Sequence, residues 1–305
     1  MKKLYGVTVA MVTPMDRHGK FLKEPMEQLT ETLIARGVDC LYPCGTTGEM
    51  SHLSLKERKE IASVVVKTAR NRVPVYIHAG ADTPEKTIEL ARHARQIGAD
   101  GVGVVTPAFL HTGSREMRNY YLEVAGALPG DFPVYLYNIP QCSGNDLLCE
   151  DVKTIYENAE NVAGIKYSYL DLNRTMEYLK VGNDFSVLHG CDKVFASLLV
   201  LGCRGTVSGV AGVFPEPFVE VYRAYREKDL DRMEHWQKIC VEICDILKCG
   251  SNMAYFKSGL EFRGIPAGHM RSPQMDLEEL EKENLFCILR DFCRKFHISE
   301  KLIEN

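Results

Sequence analysis

The chain is short of several things that would narrow its class. No apolar run approaches the length of a bilayer span, which excludes an integral helical membrane protein. No strong net charge is present: 41 acidic and 37 basic residues leave −4, and the Lys/Arg residues are scattered without a basic run. A nucleic-acid or anionic-membrane surface therefore has no electrostatic footprint. No CxxC pair occurs among the eleven cysteines, an odd number spread along the chain, so neither a disulfide framework nor a zinc knuckle is indicated. Cys240, Cys244 and Cys249 cluster in sequence, but Cys240 and Cys244 stand one helical turn apart and read as small core residues. The N-terminal stretch lacks the long apolar core of a signal peptide, and reduced cytoplasm is the expected compartment. Low-complexity segments are also missing.

What remains is an ordinary globular composition over 305 residues, 45% hydrophobic and 26% charged, enough for one large domain with an extension. Eight short apolar runs alternate with amphipathic stretches of helical period. The runs are "YGVTVAMVTP" (5–14), "CLYPCG" (40–45), "PVYIHAG" (74–80), "GVGVVTP" (101–107), "PVYLYNIP" (133–140), "VAGIKYS" (162–168), "SVLHG" (186–190) and "GTVSGV" (205–210). Between them, "LKERKEIASVVVKTAR" (55–70) sets Ile61, Val64, Val65 and Thr68 on one stripe, with its charges opposite. In the helix over 83–98, Thr83 is the expected N-cap and Pro84 the first helical residue. Ser114 is the expected cap of the helix over 114–128. Eight strands so spaced predict a (β/α)₈ TIM barrel over residues 1–228. Beyond it only helical periodicity continues, so 229–305 is predicted to be a C-terminal helical extension of two or three helices, connected through "FRGIPAGHMRSPQ" (262–274). It would cover a barrel end or meet another subunit.

Active sites of such barrels lie at the C-terminal ends of the strands, which turns the strand runs into candidates. Lys166 is the sharpest, a cation inside an apolar strand. Desolvation disfavours the charged amine, and a neutral amine attacks a small carbonyl compound to form a Schiff base, an electron sink. Set alone, a strand-end lysine more often pairs with a carboxylate or reaches for solvent. "GTTGE" (45–49) is suited to an anion: Gly48 admits close backbone approach, Thr46 and Thr47 donate hydroxyls, and the following amides can add to them. Tyr137, closing strand 5, is placed to move protons, although a tyrosine there is more often a packing residue. His78, His189 and Asp192 allow a rival reading as divalent-metal ligands, but no HxH or HExxH spacing supports it and the histidines read as wall residues.

"GTTGE", "YNIP" (137–140) and "GIK" (164–166), in that order, resemble the dihydrodipicolinate synthase / N-acetylneuraminate lyase family over nearly the whole chain. The resemblance implies class I pyruvate-dependent aldolase chemistry with no metal or organic cofactor. Lys166 would carry the pyruvate adduct, Thr46 and Thr47 would hold its carboxylate, and Tyr137 would shuttle protons. It also implies a homotetramer, a dimer of dimers, with pyruvate and an aldehyde as its small-molecule partners. Departures bear on the substrate. Dihydrodipicolinate synthases usually follow "YN(V/I)P" with Ser-Arg-Thr-Gly, whose arginine binds the second substrate's carboxylate, whereas Cys142 stands here. Phe109 or Leu110 falls where the family commonly has a tyrosine lent across a dimer interface, and Tyr167 replaces a more usual small or amide residue. Sialic acid lyases are similar in Ser143 and Gly144 after "YNIP", in "GCDKVFAS" (190–197) with Asp192 at the polyol-binding aspartate, and in "TVSG" (206–209) with Ser208; Lys193 stands where they have glutamate. The expected function is therefore reversible aldol cleavage of a sugar-derived 2-keto acid, N-acetylneuraminate-like or 2-keto-3-deoxy. A 4-hydroxy-tetrahydrodipicolinate synthase is the alternative. Hydratase-aldolases of aromatic pyruvates and a non-catalytic keto-acid-binding protein stand further off.

Overall fold

In a computed structural model, described over residues 3–302, the eight apolar runs form eight parallel strands, each followed by helix. Residues 1–2 and 303–305, at the outer ends of the two expected regions, lie outside the described residues. The strands are β1 (Gly6–Ala10), β2 (Cys40–Tyr42), β3 (Tyr76–His78), β4 (Gly101–Val105), β5 (Val134–Asn138), β6 (Val162–Tyr167), β7 (Ser186–His189) and β8 (Gly205–Ser208). Hydrogen bonding runs β2-β1-β8-β7-β6-β5-β4-β3. A parallel bridge between Leu41 and Val75 joins β2 to β3 and closes the ring. Closure leaves no strand edge, and helices cover the outside, so every strand is buried on both faces and reads as a continuous apolar run.

The interleaved helices are α1 (Lys23–Ala35), α2 (Leu55–Ala69), α3 (Pro84–Gln96), α4 (Ser114–Gly126), the short α5 (Pro140–Ser143), α6 (Cys149–Asn158), α7 (Leu172–Tyr178), α8 (Phe195–Leu201) and α9 (Pro215–Glu227). Their starts follow local chemistry. Ser54 and Glu57 form a reciprocal capping box at α2, and Thr83 caps α3 by accepting from the Lys86 amide, with Pro84 in the first turn. Ser114 is not a cap. The cap position is Gly113 and Ser114 is the first helical residue, because a residue with little steric demand can make the entry bend. Three further helices follow, α10 (Leu230–Ile246), α11 (Ala254–Phe262) and α12 (Glu279–Phe296); α10 packs against α9 and α12, and α12 against α11. Cys240 and Cys244 are buried on α10 as expected, and Cys249, beyond the helix, is exposed. Among the described residues, no helix is long and apolar enough to cross a membrane.

Tyrosines fill the barrel interior. Tyr42, Tyr76 and Tyr135 share an inner cluster with Ala10, Cys40, Ala163, Leu188 and Val207. Room for the Tyr42 ring comes from a glycine on β4, two strands away across the barrel interior: a Cβ on Gly103 would lie 1.8 Å from the Tyr42 hydroxyl, a contact no atom pair tolerates.

Candidate active site

Strand alternation points Lys166 inward, on the register line that pairs it with Tyr137 of β5. Only 5% of Lys166 is exposed. Its Nζ stands 4.0 Å from the centroid of the Tyr137 ring and 5.1 Å from that of Tyr42, so two aromatic faces flank the amine. The Tyr137 hydroxyl lies 3.3 Å from Thr46 Oγ1. The turn after β2, β5 and β6 thus bring threonine hydroxyl, phenol and amine together at the barrel mouth, a nucleophile beside a proton carrier.

The "GTTGE" turn is built from its own backbone. The amides of Gly48, Glu49 and Met50 donate to Gly45 O, Thr46 O and Gly45 O at 3.0, 3.0 and 3.2 Å. The amides expected to hold an anion are therefore engaged in shaping the turn. Gly48 offers the absence of a side chain: a Cβ there would meet Met11 O at 3.1 Å and Thr13 Oγ1 at 3.2 Å. Thr13, at the end of the β1 run, also donates its hydroxyl to Gly48 O at 2.8 Å. Thr47 is buried in the same turn.

A second polar group gathers after β7 and β8. The Asp192 carboxylate accepts the Ser208 hydroxyl at 2.7 Å and the Thr206 hydroxyl at 3.1 Å. Ser208 Oγ in turn accepts from the Ala211 amide at 2.9 Å. Burial pushes Asp192 up to about 6, against the pull of those hydroxyls and of the Lys166 charge. Ser143 is more deeply committed than the sequence implied. Its hydroxyl takes the Thr106 hydroxyl at 2.9 Å and reaches Asn145 O at 2.9 Å, so it ties the β4 and β5 loops together. Cys142, on α5, is exposed; partial burial raises its thiol while the Lys166 charge pulls it down.

Two of the unusual residues behave differently from each other. Tyr167 follows Lys166 and therefore points outward, against Tyr178 and His189 in the helix layer, at ring distances of 5.1 and 5.4 Å. It does not share the Lys166 face and cannot sort substrates by contact. Phe109 is 97% exposed in a left-handed conformation (φ 76°), on a loop held by Asn145, whose side chain bonds Thr112 N, Pro107 O and Leu110 O at 2.8, 2.9 and 2.8 Å.

The histidines are wall residues. His189 Nδ1 accepts from the Cys191 amide at 3.2 Å, its Nε2 meets Thr175 Oγ1 at 3.2 Å, and burial holds it down to about 4. Burial, then the charges of Arg58 and Lys166, keep His78 well below the ordinary histidine range. Among the described residues, no three His, Cys, Asp or Glu are grouped to hold a metal ion. Sequence reasoning missed two residues that shape the centre. Tyr42 reads as core but supplies one of the two faces over the amine. Arg58, read on the polar face of α2, is buried and donates to His78 O, His78 Nδ1 and Gly80 O at 2.7, 3.1 and 2.9 Å. His78 then sets its ring edge-on against Tyr137, centroids 5.9 Å apart.

Known proteins share this arrangement. The sequence profile of the dihydrodipicolinate synthetase family matches residues 3–291. An uncharacterized DapA-like lyase of Halobacterium salinarum is 34% identical over 94% of this chain and 94% of its own. A 4-hydroxy-tetrahydrodipicolinate synthase of Geotalea daltonii is 30% identical over 94% of this chain and 98% of its own. Among solved structures, YagE of Escherichia coli K12, a prophage protein of the dihydrodipicolinic acid synthase family crystallised with pyruvate, superposes with a TM-score of 0.90 at 29% identity, covering 95% of this chain and 99% of that one. The chain belongs to the dihydrodipicolinate synthetase family, and with it to the pyruvate-dependent carbon–carbon lyases that work through a lysine Schiff base.

Proposed function

We propose that the chain cleaves, reversibly, a sugar-derived 2-keto acid into pyruvate and an aldehyde, with Lys166 as the Schiff-base residue. The family's chemistry runs through that covalent adduct, without a metal or other cofactor. In the cleavage direction the Lys166 amine attacks the keto carbon and water leaves, giving an iminium. Tyr137 takes the proton of the hydroxyl two carbons away, the carbon–carbon bond breaks toward the iminium, and the aldehyde departs. The enamine left on Lys166 is protonated at carbon, and water hydrolyses the adduct to pyruvate. Thr46 and Thr47 hold the carboxylate throughout, in a turn that Gly48 lets pack against the end of β1. The Tyr137–Thr46 contact of 3.3 Å supports the proton path.

The observation that carries the sugar-acid assignment is the Asp192 group. A half-buried carboxylate that takes the Ser208 and Thr206 hydroxyls, with the Lys166 charge acting on it, is fitted to hydroxyls and not to a second carboxylate. Cys142, on α5 after β5, brings no guanidinium for aspartate semialdehyde. Ser143 acts through loop geometry. The second reading, 4-hydroxy-tetrahydrodipicolinate synthesis from pyruvate and aspartate semialdehyde, is favoured by the name of the Geotalea relative.

Borohydride reduction in the presence of pyruvate, followed by peptide mass spectrometry, places the adduct on Lys166 in the wild type and on no residue in Lys166→Met. Turnover of 2-keto-3-deoxy sugar acids above that of pyruvate with aspartate semialdehyde is the expected order, and the reverse order establishes the second reading. Residues 1–228 are assigned as the catalytic barrel, and 229–305 as an extension over its mouth. Eleven free thiols fit a reducing compartment such as the cytoplasm. Exposed Phe109 and Leu110 support self-association into a dimer of dimers.

A further inference from the structure

The turn assigned to the substrate carboxylate carries a buried carboxylate of its own. Glu49, two residues after Thr47, exits the turn in a left-handed conformation (φ 59°, ψ 39°). Its side chain is 3% exposed and is met by Lys257 Nζ at 2.7 Å, itself 2% exposed, from α11 in the C-terminal extension. The Arg271 amide donates to the other oxygen at 3.1 Å. The Arg271 guanidinium grips Glu57 at 2.6 and 3.1 Å and also donates to His52 O, so the segment after α11 fastens the far side of the turn. Lys257 also donates to His269 O. Burial pushes the Lys257 ammonium down and Glu49 pushes it back up. The pair is thus enclosed: Lys257 is the buried ammonium in direct contact with Glu49, with the Arg271 amide on the other oxygen and His52 3.9 Å away.

An uncompensated Glu49 would act on keto-acid binding through its charge, repelling a second anion across a low-dielectric distance. We propose that Lys257 is a positioning residue for keto-acid binding: by neutralising Glu49 it lets the "GTTGE" turn accept the substrate carboxylate. This rests on the reading of Thr46 and Thr47 as carboxylate ligands. It also gives the C-terminal helices a part in the reaction, since the barrel supplies the carboxylate and the extension its counter-charge.

A purely structural tie makes a different prediction, because it would not distinguish a charged ligand from a neutral one. The half-saturating concentration for borohydride-trapped adduct on Lys166 is measured with pyruvate and with its uncharged methyl ester. In Lys257→Met, pyruvate half-saturation rises roughly tenfold or more while the ester changes less than threefold, the size of effect a lone buried charge exerts nearby. The double variant Glu49→Gln/Lys257→Met, which buries no charge, returns pyruvate to within about threefold of wild type, as does Lys257→Arg. Equal weakening of pyruvate and ester, or no weakening in a folded Lys257→Met, overturns the inference. Where Lys257→Met does not fold, Glu49→Gln decides. Leaving the ammonium beside the turn lowers pyruvate half-saturation relative to the ester, and a rise overturns the inference. If the wild type forms no Lys166 adduct at all, the Schiff-base assignment fails; an adduct without these charge effects sinks only the role of Lys257.

Discussion

At the scale of single residues, Asp192 shows how burial and hydrogen bonding compete for one carboxyl group. Its ionised form gains two hydroxyl donors but loses water, and the loss wins, leaving it at about 6. An aspartate in an unfolded chain titrates near ~3.9. Between roughly pH 4 and 6 the folded protein therefore holds a proton that the unfolded chain has released, so stability falls as pH rises through that window. Below it both states are protonated and the penalty vanishes; above it the penalty is complete, roughly 3 kcal/mol. Asp39, also pushed up to about 6 by burial, contributes with the same sign but is common to wild type and variant. Asp192→Asn keeps an acceptor oxygen for one of the two hydroxyls, turns an NH2 toward the other, and carries no charge. Chemical denaturation at a series of pH values should show the variant gaining on wild type by roughly 2–3 kcal/mol from pH 4 to pH 6.5. A difference independent of pH would mean that Asp192 does not titrate in this range.

Among the elements, β4 has the most exacting task, because its glycine makes the space that the Tyr42 ring fills beside Lys166. Gly103→Ala would drive a methyl group into that hydroxyl and displace the ring. Overpacking of this kind costs about 1–3 kcal/mol, and here it also moves one of the two faces over the amine. The expected result is a lower midpoint of denaturation together with slower adduct formation on Lys166. Unchanged trapping in a destabilised variant would show that Tyr42 is only filling. Such elements mark the boundary of what the sequence reveals. All eight strands were legible because burial on both faces writes a continuous apolar run, and "GTTGE", "YNIP" and "GIK" were legible because each sits at a strand end. Which way a side chain points was harder: Tyr167 drew notice beside Lys166, yet alternation turns it into the helix layer. Tyr42 looks like any core tyrosine, and Arg58 like any helix-surface charge, until closure of the barrel encloses both. Glu49 and Lys257 meet only through the tertiary fold, so no local spacing announces their pair.

For the molecule as a whole, the unresolved balance is the apolar surface it leaves in water. Phe109 is 97% and Leu110 73% exposed, side by side on a loop whose backbone is held by three Asn145 hydrogen bonds and by the Phe109 amide on Ser143 O at 3.1 Å. An apolar pair on a floppy loop could fold back; this one is braced outward, which is the condition for packing against a second copy at low entropic cost. In an isologous contact each side chain is buried twice, and fully burying a residue of this size is worth about 1.5–3 kcal/mol. Removing both apolar groups should therefore weaken dimerisation by at least about a thousandfold, or about 4 kcal/mol. Phe109→Asp/Leu110→Asp also sets like charges against each other across the symmetry axis. Sedimentation velocity at micromolar concentration should show the wild type as an oligomer and the double variant as a smaller species with an unchanged far-UV spectrum. The Ser143–Thr106 contact and the Asn145 brace tie this loop to the strands that carry Tyr137, so loss of the partner should also slow the aldol step while leaving the Lys166 adduct in place. A wild type that sediments as a monomer would remove the interface, and with it the reason for so firmly held a loop.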